Sequence, residues 1–135
     1  MIVFDLETTG LPLAEGADLD LQPRITEFGA IKLDHQLKEI AELEFLINPG
    51  IPLDPKVTKI TGLTDDMLKD KLFQFPWPPE QICTVEVGET IWNKKRKLSD
   101  IYLEVTGNEH KGAHRSIADV RALIEIVKWY KKEEI

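Results

Sequence analysis

The spacing of apolar residues changes along this chain, from a period of two near the amino end to a helical period at the carboxyl end. That change restricts the fold to one that mixes strands and helices. Ile2, Phe4 and Leu6 alternate with Val3, Asp5 and Glu7, which predicts a strand over 2–7 with one apolar side. Residues 25–34 and 39–47 predict two more strands around a turn at Asp34-His35-Gln36, giving a three-stranded antiparallel meander. From Ser116 to Lys131 the apolar positions Val120, Leu123, Ile124, Val127 and Tyr130 follow helical spacing. Lysines gather at the far end of that segment, where a helix dipole favours them.

The middle of the chain is less regular. Asn48 to Pro55 is too rich in proline to continue a strand, and Lys56 to Gly62 then suits a short helix stopped by glycine. Thr64 to Asp70 starts like another helix, with Thr64 or Asp65 as its cap. Lys71 to Pro79 is aromatic and proline-rich with no period, Gln81 to Val87 predicts a strand, and Leu98 to Val105 predicts an amphipathic helix ended by Gly107. No repeat or linker divides the sequence, so residues 1–135 are expected to form one α/β domain.

Composition narrows the surroundings. Cys83 is the only cysteine, which excludes an internal disulfide and leaves no zinc-type ligand set, so a reducing compartment is expected. No apolar run is long enough for a membrane span and the opening residues carry no leader pattern, which together predict a cytoplasmic protein with no membrane partner. The net charge of −7 has the wrong sign for holding nucleic acid by phosphate neutralisation alone. A site that recruits divalent cations removes the objection, because bound metal inverts the local field.

Residues i and i+2 of a strand face the same side, so Asp5 and Glu7 project together with Cα atoms roughly 6–7 Å apart. Two carboxylates that close raise each other's pKa unless a cation lies between them, although an isolated pair of this kind is also common on the solvent face of an edge strand. Asp119 shares a helical stripe with Leu123, Ile126 and Tyr130, where a carboxylate needs a partner. Two readings fit it: a metal ligand, or the end of a Ser116-Ile-Ala-Asp119 capping box. His114 lies just ahead of that helix, on a loop entered by Gly112, and an unperturbed imidazole could accept a proton there near neutral pH. His35 and His110 are expected to be solvated polar residues. Phosphodiester hydrolysis uses such parts together, with two Mg²⁺ or Mn²⁺ ions about 3.5–4 Å apart held by a few carboxylates.

Phe4-Asp5-Leu-Glu7-Thr-Thr-Gly10, Ile25-Thr-Glu-Phe-Gly-Ala30 and Gly112-Ala-His114-Arg-Ser-Ile-Ala-Asp119 resemble the DEDDh, or DnaQ-like, 3′-to-5′ exonucleases. The likeness runs in order over nearly the whole chain. It implies an RNase H-like fold, a mixed five-stranded sheet with helices around it, and release of nucleoside monophosphates from single-stranded DNA or RNA 3′ ends, with DNA proofreading the leading case and a DNA polymerase a candidate partner. Under the resemblance Asp5, Glu7 and Asp119 are metal ligands and His114 is the general base. Thr8, Thr9 and Gly10 match the turn that receives the terminal nucleotide. Thr61-Gly62-Leu63 matches a second segment that contacts it, although many members carry histidine where Thr61 stands.

One departure is large. The family's second acidic motif, an Asp on a helix after a buried strand, is expected between Asp70 and Trp77 and is absent; Asp65, Asp66 and Asp70 come too early and Asp100 too late. The strand, helix and connections involved amount to roughly 25–40 residues, more than the stretch near 69–76 supplies. The strand in question would pair beside Asp5 and Glu7, so its loss leaves a gap in the sheet. Either a segment of the natural protein is absent from this sequence, or the chain is a genuine deletion variant whose sheet is completed by another subunit or left open. Intact family pattern on both sides of the join favours the former. The alternative function is a catalytically inactive end-binding or polymerase-associated module. Asn93-Lys-Lys-Arg-Lys97 is the main basic cluster and is read as a solvated turn, and Phe73, Phe75 and Trp77 as packing residues rather than base-stacking ones.

Overall fold

The computed structural model describes residues 1–71 and 82–133. Three strands, β1 (Ile2–Thr8), β2 (Ile25–Leu33) and β3 (Glu39–Leu46), form an antiparallel sheet in the order β1-β2-β3, the meander predicted from alternation. The further strands of a five-stranded sheet are not among the described residues. Helices α1 (Pro55–Thr61), α2 (Asp65–Leu68), α3 (Thr84–Trp92), α4 (Leu98–Thr106) and α5 (Ser116–Lys132) follow.

Alternation gives the sheet two chemically distinct faces. Phe4, Leu6, Phe28, Ala30, Phe45 and Ile47 cluster on one, with the Phe28 ring 5.9 Å from Phe4 and 5.2 Å from Phe45. On the other, Val3, Ile31 and Leu33 pack against Val120, Leu123 and Ile124 of α5. The stripe on α5 therefore continues the sheet's core, and its burial is what holds the last helix across the first strand.

The short helices end as their sequences require. Asp54 caps α1 by accepting the Lys56 N–H at 2.7 Å, and Gly62 closes it in the left-handed conformation that favours glycine. Thr64 is the cap of α2. Gly107, also left-handed, stops α4.

One predicted element is different. Residues 84–87, expected in a strand, open α3 instead. Val87, Ile91 and Trp92 lie on one side of a helix and pack on Ile101, Ile126 and Tyr130, so helical burial overrides the strand propensity of a valine-rich run. Gly88 sits at that contact, where a Cβ would lie 3.4 Å from both the Trp92 ring and the Tyr130 hydroxyl. The predicted packing of Phe73, Phe75 and Trp77 lies outside the described residues. Lys94, Lys95 and Lys97 of the basic cluster are exposed as expected, whereas Arg96 pairs with Glu104 and covers the Trp92 ring at 5.1 Å.

Candidate active site

Strand parity decides which side chains β1 offers to α5. Asp5 pairs with Gly29 across the sheet and Glu7 with Glu27, so all four occupy the face on which α5 lies. Glycine at 29 matters here. A Cβ on it would stand 2.6 Å from Ser116 Oγ and 2.7 Å from the Ile117 nitrogen, so only a residue without a side chain lets the first turn of α5 approach the strand.

Glu27 holds that first turn in place. It is fully buried and accepts Arg115 Nη2 at 2.6 Å, Arg115 Nε at 3.2 Å and the Ser116 N–H at 2.9 Å. Helix α5 has no side-chain cap of its own from Arg115 at its N-cap, so a carboxylate from β2 satisfies one of its free amides. Hydrogen bonds from Arg115 and Ser116 outweigh burial and keep the Glu27 carboxyl below its ordinary pKa, so it is ionised.

With the helix so placed, Asp119 meets the strand. One ligand oxygen from each of Asp5, Glu7 and Asp119 lies within 4.8 Å of the others, and these three form the one such acidic cluster among the described residues. Burial, then the nearby Asp119 charge, pushes the Asp5 carboxyl up to about 7. Burial and then Asp5 push Glu7 up to about 8, and Arg115 offsets only part of this. Three acids so arranged repel one another, and a divalent cation between them would remove the repulsion.

The Ser116 to Asp119 capping box does not form. Asp119 Oδ2 instead accepts the backbone N–H of His114 at 3.0 Å, while Ser116 is buried beside Glu27. His114 has an exposed side chain and a left-handed φ of 68° at the end of its loop. The side chain of His110, expected in solvent, is instead covered: it is 5% exposed and its Nε2 lies 2.5 Å from Asp119 Oδ1. No periodicity marks a loop residue of this kind. Glu27 carried a signal that sequence reading left unused, since a glutamate between apolar residues in a strand must find a partner.

The other predicted residues are distributed around this cluster. Thr8, Thr9 and Gly10 continue directly from β1: the Thr8 hydroxyl donates to the Gly10 carbonyl at 2.6 Å, and Thr9 Oγ1 accepts the Arg24 N–H at 2.9 Å. Thr61 and Leu63 are buried, Leu63 in a cluster with Leu53 and Leu68, and the Thr61 hydroxyl donates to the Val57 carbonyl at 2.9 Å. Gly62 between them is exposed. None of the acids considered for the second motif joins the cluster: Asp65 accepts the Leu53 N–H, Asp66 pairs with Lys69, and Asp70 and Asp100 are exposed.

Residues 2–74 match the model of the exonuclease family typified by RNase T. The chain belongs to this exonuclease family. It is 38% identical over 69 residues to the DNA polymerase III PolC-type protein of Caldanaerobacter subterraneus subsp. tengcongensis, covering 51% of this chain and 4% of that one. It is 43% identical over 68 residues to the DNA polymerase III subunit epsilon of Treponema pallidum, covering 50% of this chain and 28% of that one. The chain thus spans less than a third of either relative. In fold it is similar to the nuclease domain of 3′hExo, a DEDDh family member bound to rAMP, with a TM-score of 0.74 at 16% identity over 98% of this chain and 91% of that domain. The expected DEDDh, RNase H-like fold is borne out, with a three-stranded antiparallel sheet described.

Proposed function

We propose that this family member is a metal-dependent 3′-to-5′ exonuclease acting on single-stranded nucleic-acid ends, DNA foremost. The convergence of Asp5, Glu7 and Asp119 to within 4.8 Å carries the reading. Its ligand atoms are all carboxylate oxygens, the set that hard cations such as Mg²⁺ and Mn²⁺ take. The raised pKa values of Asp5 and Glu7 support a cation there as well, since its charge would stabilise the ionised forms. Asp5, Glu7 and Asp119 would hold two such ions. Bound ions would neutralise the acids and draw charge from the phosphate oxygens as the ester breaks.

The rest of the chemistry belongs to the protein. His114, exposed beside Asp119, would take the proton of the attacking water, and the left-handed backbone at its loop end leaves the imidazole facing solvent. Thr8, the last residue of β1, with Thr9 and Gly10 after it, would receive the terminal nucleotide, with Thr61, Gly62 and Leu63 as its second contact. DNA is favoured because both polymerase relatives are named for DNA polymerase III, which also makes a DNA polymerase the leading protein partner and the cytoplasm the setting.

A second reading has its own support. No fourth acid joins the three among the described residues, and the family match ends at residue 74, inside the stretch where the second acidic motif is expected. A segment missing near 69–76 of the single domain, whether absent from this sequence or truly deleted, would leave a fold able to bind ends but not to cut them. The two readings separate on a 3′-labelled single-stranded oligonucleotide in Mn²⁺. Stepwise shortening that Asp5→Ala and His114→Ala each abolish, with far-ultraviolet circular dichroism unchanged, is expected of the enzyme. Binding without shortening would establish the inactive module.

A further inference from the structure

Asp119 is the one member of the acidic cluster that comes from a helix, and a carboxylate on a helix turns easily about its last torsion unless both oxygens are engaged. Both are. The His114 N–H meets Oδ2 at 3.0 Å and His110 Nε2 meets Oδ1 at 2.5 Å. A carboxylate offers only acceptors when ionised, so Nε2 carries the hydrogen in this pair. The two histidines therefore contribute differently: His114 gives its backbone to Asp119 and leaves its ring in solvent, while His110 gives its ring.

The placement of His110 is specified from several sides. Its ring lies against Tyr102 of α4 at 5.5 Å between centroids. The loop that carries it is fixed at its start by Gly107 and by the Asn108 N–H on Thr106 Oγ1 at 3.1 Å. It turns again at Gly112, whose φ is 80° and whose open side faces Ala118 of α5 at 3.5 Å. Only 5% of the His110 side chain and 10% of the Asp119 side chain reach solvent, so little water competes for the bond.

We propose that His110 is a positioning residue: it locks the plane of the Asp119 carboxylate so that the acid meets Asp5 and Glu7 ready to share a divalent cation. The inference rests on the metal-dependent reading above. Partners that orient metal-binding side chains typically change affinity 10–100-fold when lost.

Mn²⁺ binding to the full chain, followed by titration calorimetry without substrate, tests it. His110→Phe keeps a ring on Tyr102 but has no N–H to give, and His110→Gln returns a donor near the position of Nε2. The expected result is 10–100-fold weaker Mn²⁺ binding for the phenylalanine variant, with its thermal midpoint near that of the parent, and recovery to within about threefold of the parent for the glutamine variant. Should the phenylalanine variant fail to fold, His110→Asn, too short to reach Oδ1, takes its place with the same expected loss. Parent-like affinity without the donor, or equal loss in the glutamine variant, would overturn the proposal. If the unmodified chain binds no Mn²⁺ at all, the metal-dependent reading itself falls, and the inference with it.

Discussion

Asp5 and Glu7 are held in a state that their own chemistry resists. Burial and mutual repulsion raise both, to about 7 and about 8. A carboxyl whose pKa is higher folded than unfolded binds its proton more tightly in the fold, so its stabilisation is complete below the ordinary values of 3.8 and 4.5 and is lost as pH rises through 7 to 8. Thermal melts in EDTA should therefore show the midpoint falling between pH 5 and pH 8.5, and saturating Mn²⁺ should restore it at the upper end. The paired substitution Asp5→Asn with Glu7→Gln should flatten the EDTA profile. A midpoint that rises across this range in EDTA would contradict the assignment.

At the scale of elements, the site depends on how α5 docks against β2. Glu27 reaches from the strand to Arg115 and Ser116, and Gly29 leaves the space that the Ser116–Ile117 backbone occupies. Gly29→Ala would force a backbone shift where no flexible side chain can yield, and urea unfolding should report a loss of about 1–3 kcal/mol. Glu27→Ala leaves the Arg115 guanidinium and a helix amide without their partner, for about 2–3 kcal/mol. Because either change moves Asp119 relative to Asp5 and Glu7, each should also weaken Mn²⁺ binding. A comparable substitution on the opposite, apolar face, such as Ala30→Gly, should lower stability without that second effect.

Over the whole molecule, charge and the acidic site act in opposite directions. A net charge of −7 repels a polyanion, and the lysines near residue 95 are the main counterweight, exposed beside an Arg96 that Glu104 engages. Binding of a single-stranded oligonucleotide should therefore depend on divalent cations and not on protein charge alone. Fluorescence anisotropy with a labelled DNA 12-mer should show affinity at least about tenfold weaker in EDTA than in Ca²⁺, which supports binding without requiring turnover. Equal affinity in the two conditions would show that the acidic cluster takes no part in holding the strand.

Sequence alone determined whatever depends on periodicity and local chemistry. Alternation put Asp5 and Glu7 on one face, helical spacing put Asp119 among buried residues, and proline, glycine and capping residues set the ends of α1, α2 and α4. These are contacts between near neighbours, and a one-dimensional pattern contains them. The strand predicted at 81–87 gave way at residues 84–87 because a short valine-rich run fits either state until its packing partners are known, and Ile101, Ile126 and Tyr130 made those residues helical. His110 and Glu27 were decided in three dimensions. The ring of one reaches a carboxylate nine residues away through a loop with no period, and the carboxylate of the other reaches a helix eighty-nine residues on. Such bonds follow from where folding brings the backbone, because the cost of leaving a buried polar group unpaired is met only by whatever donor the tertiary structure places beside it.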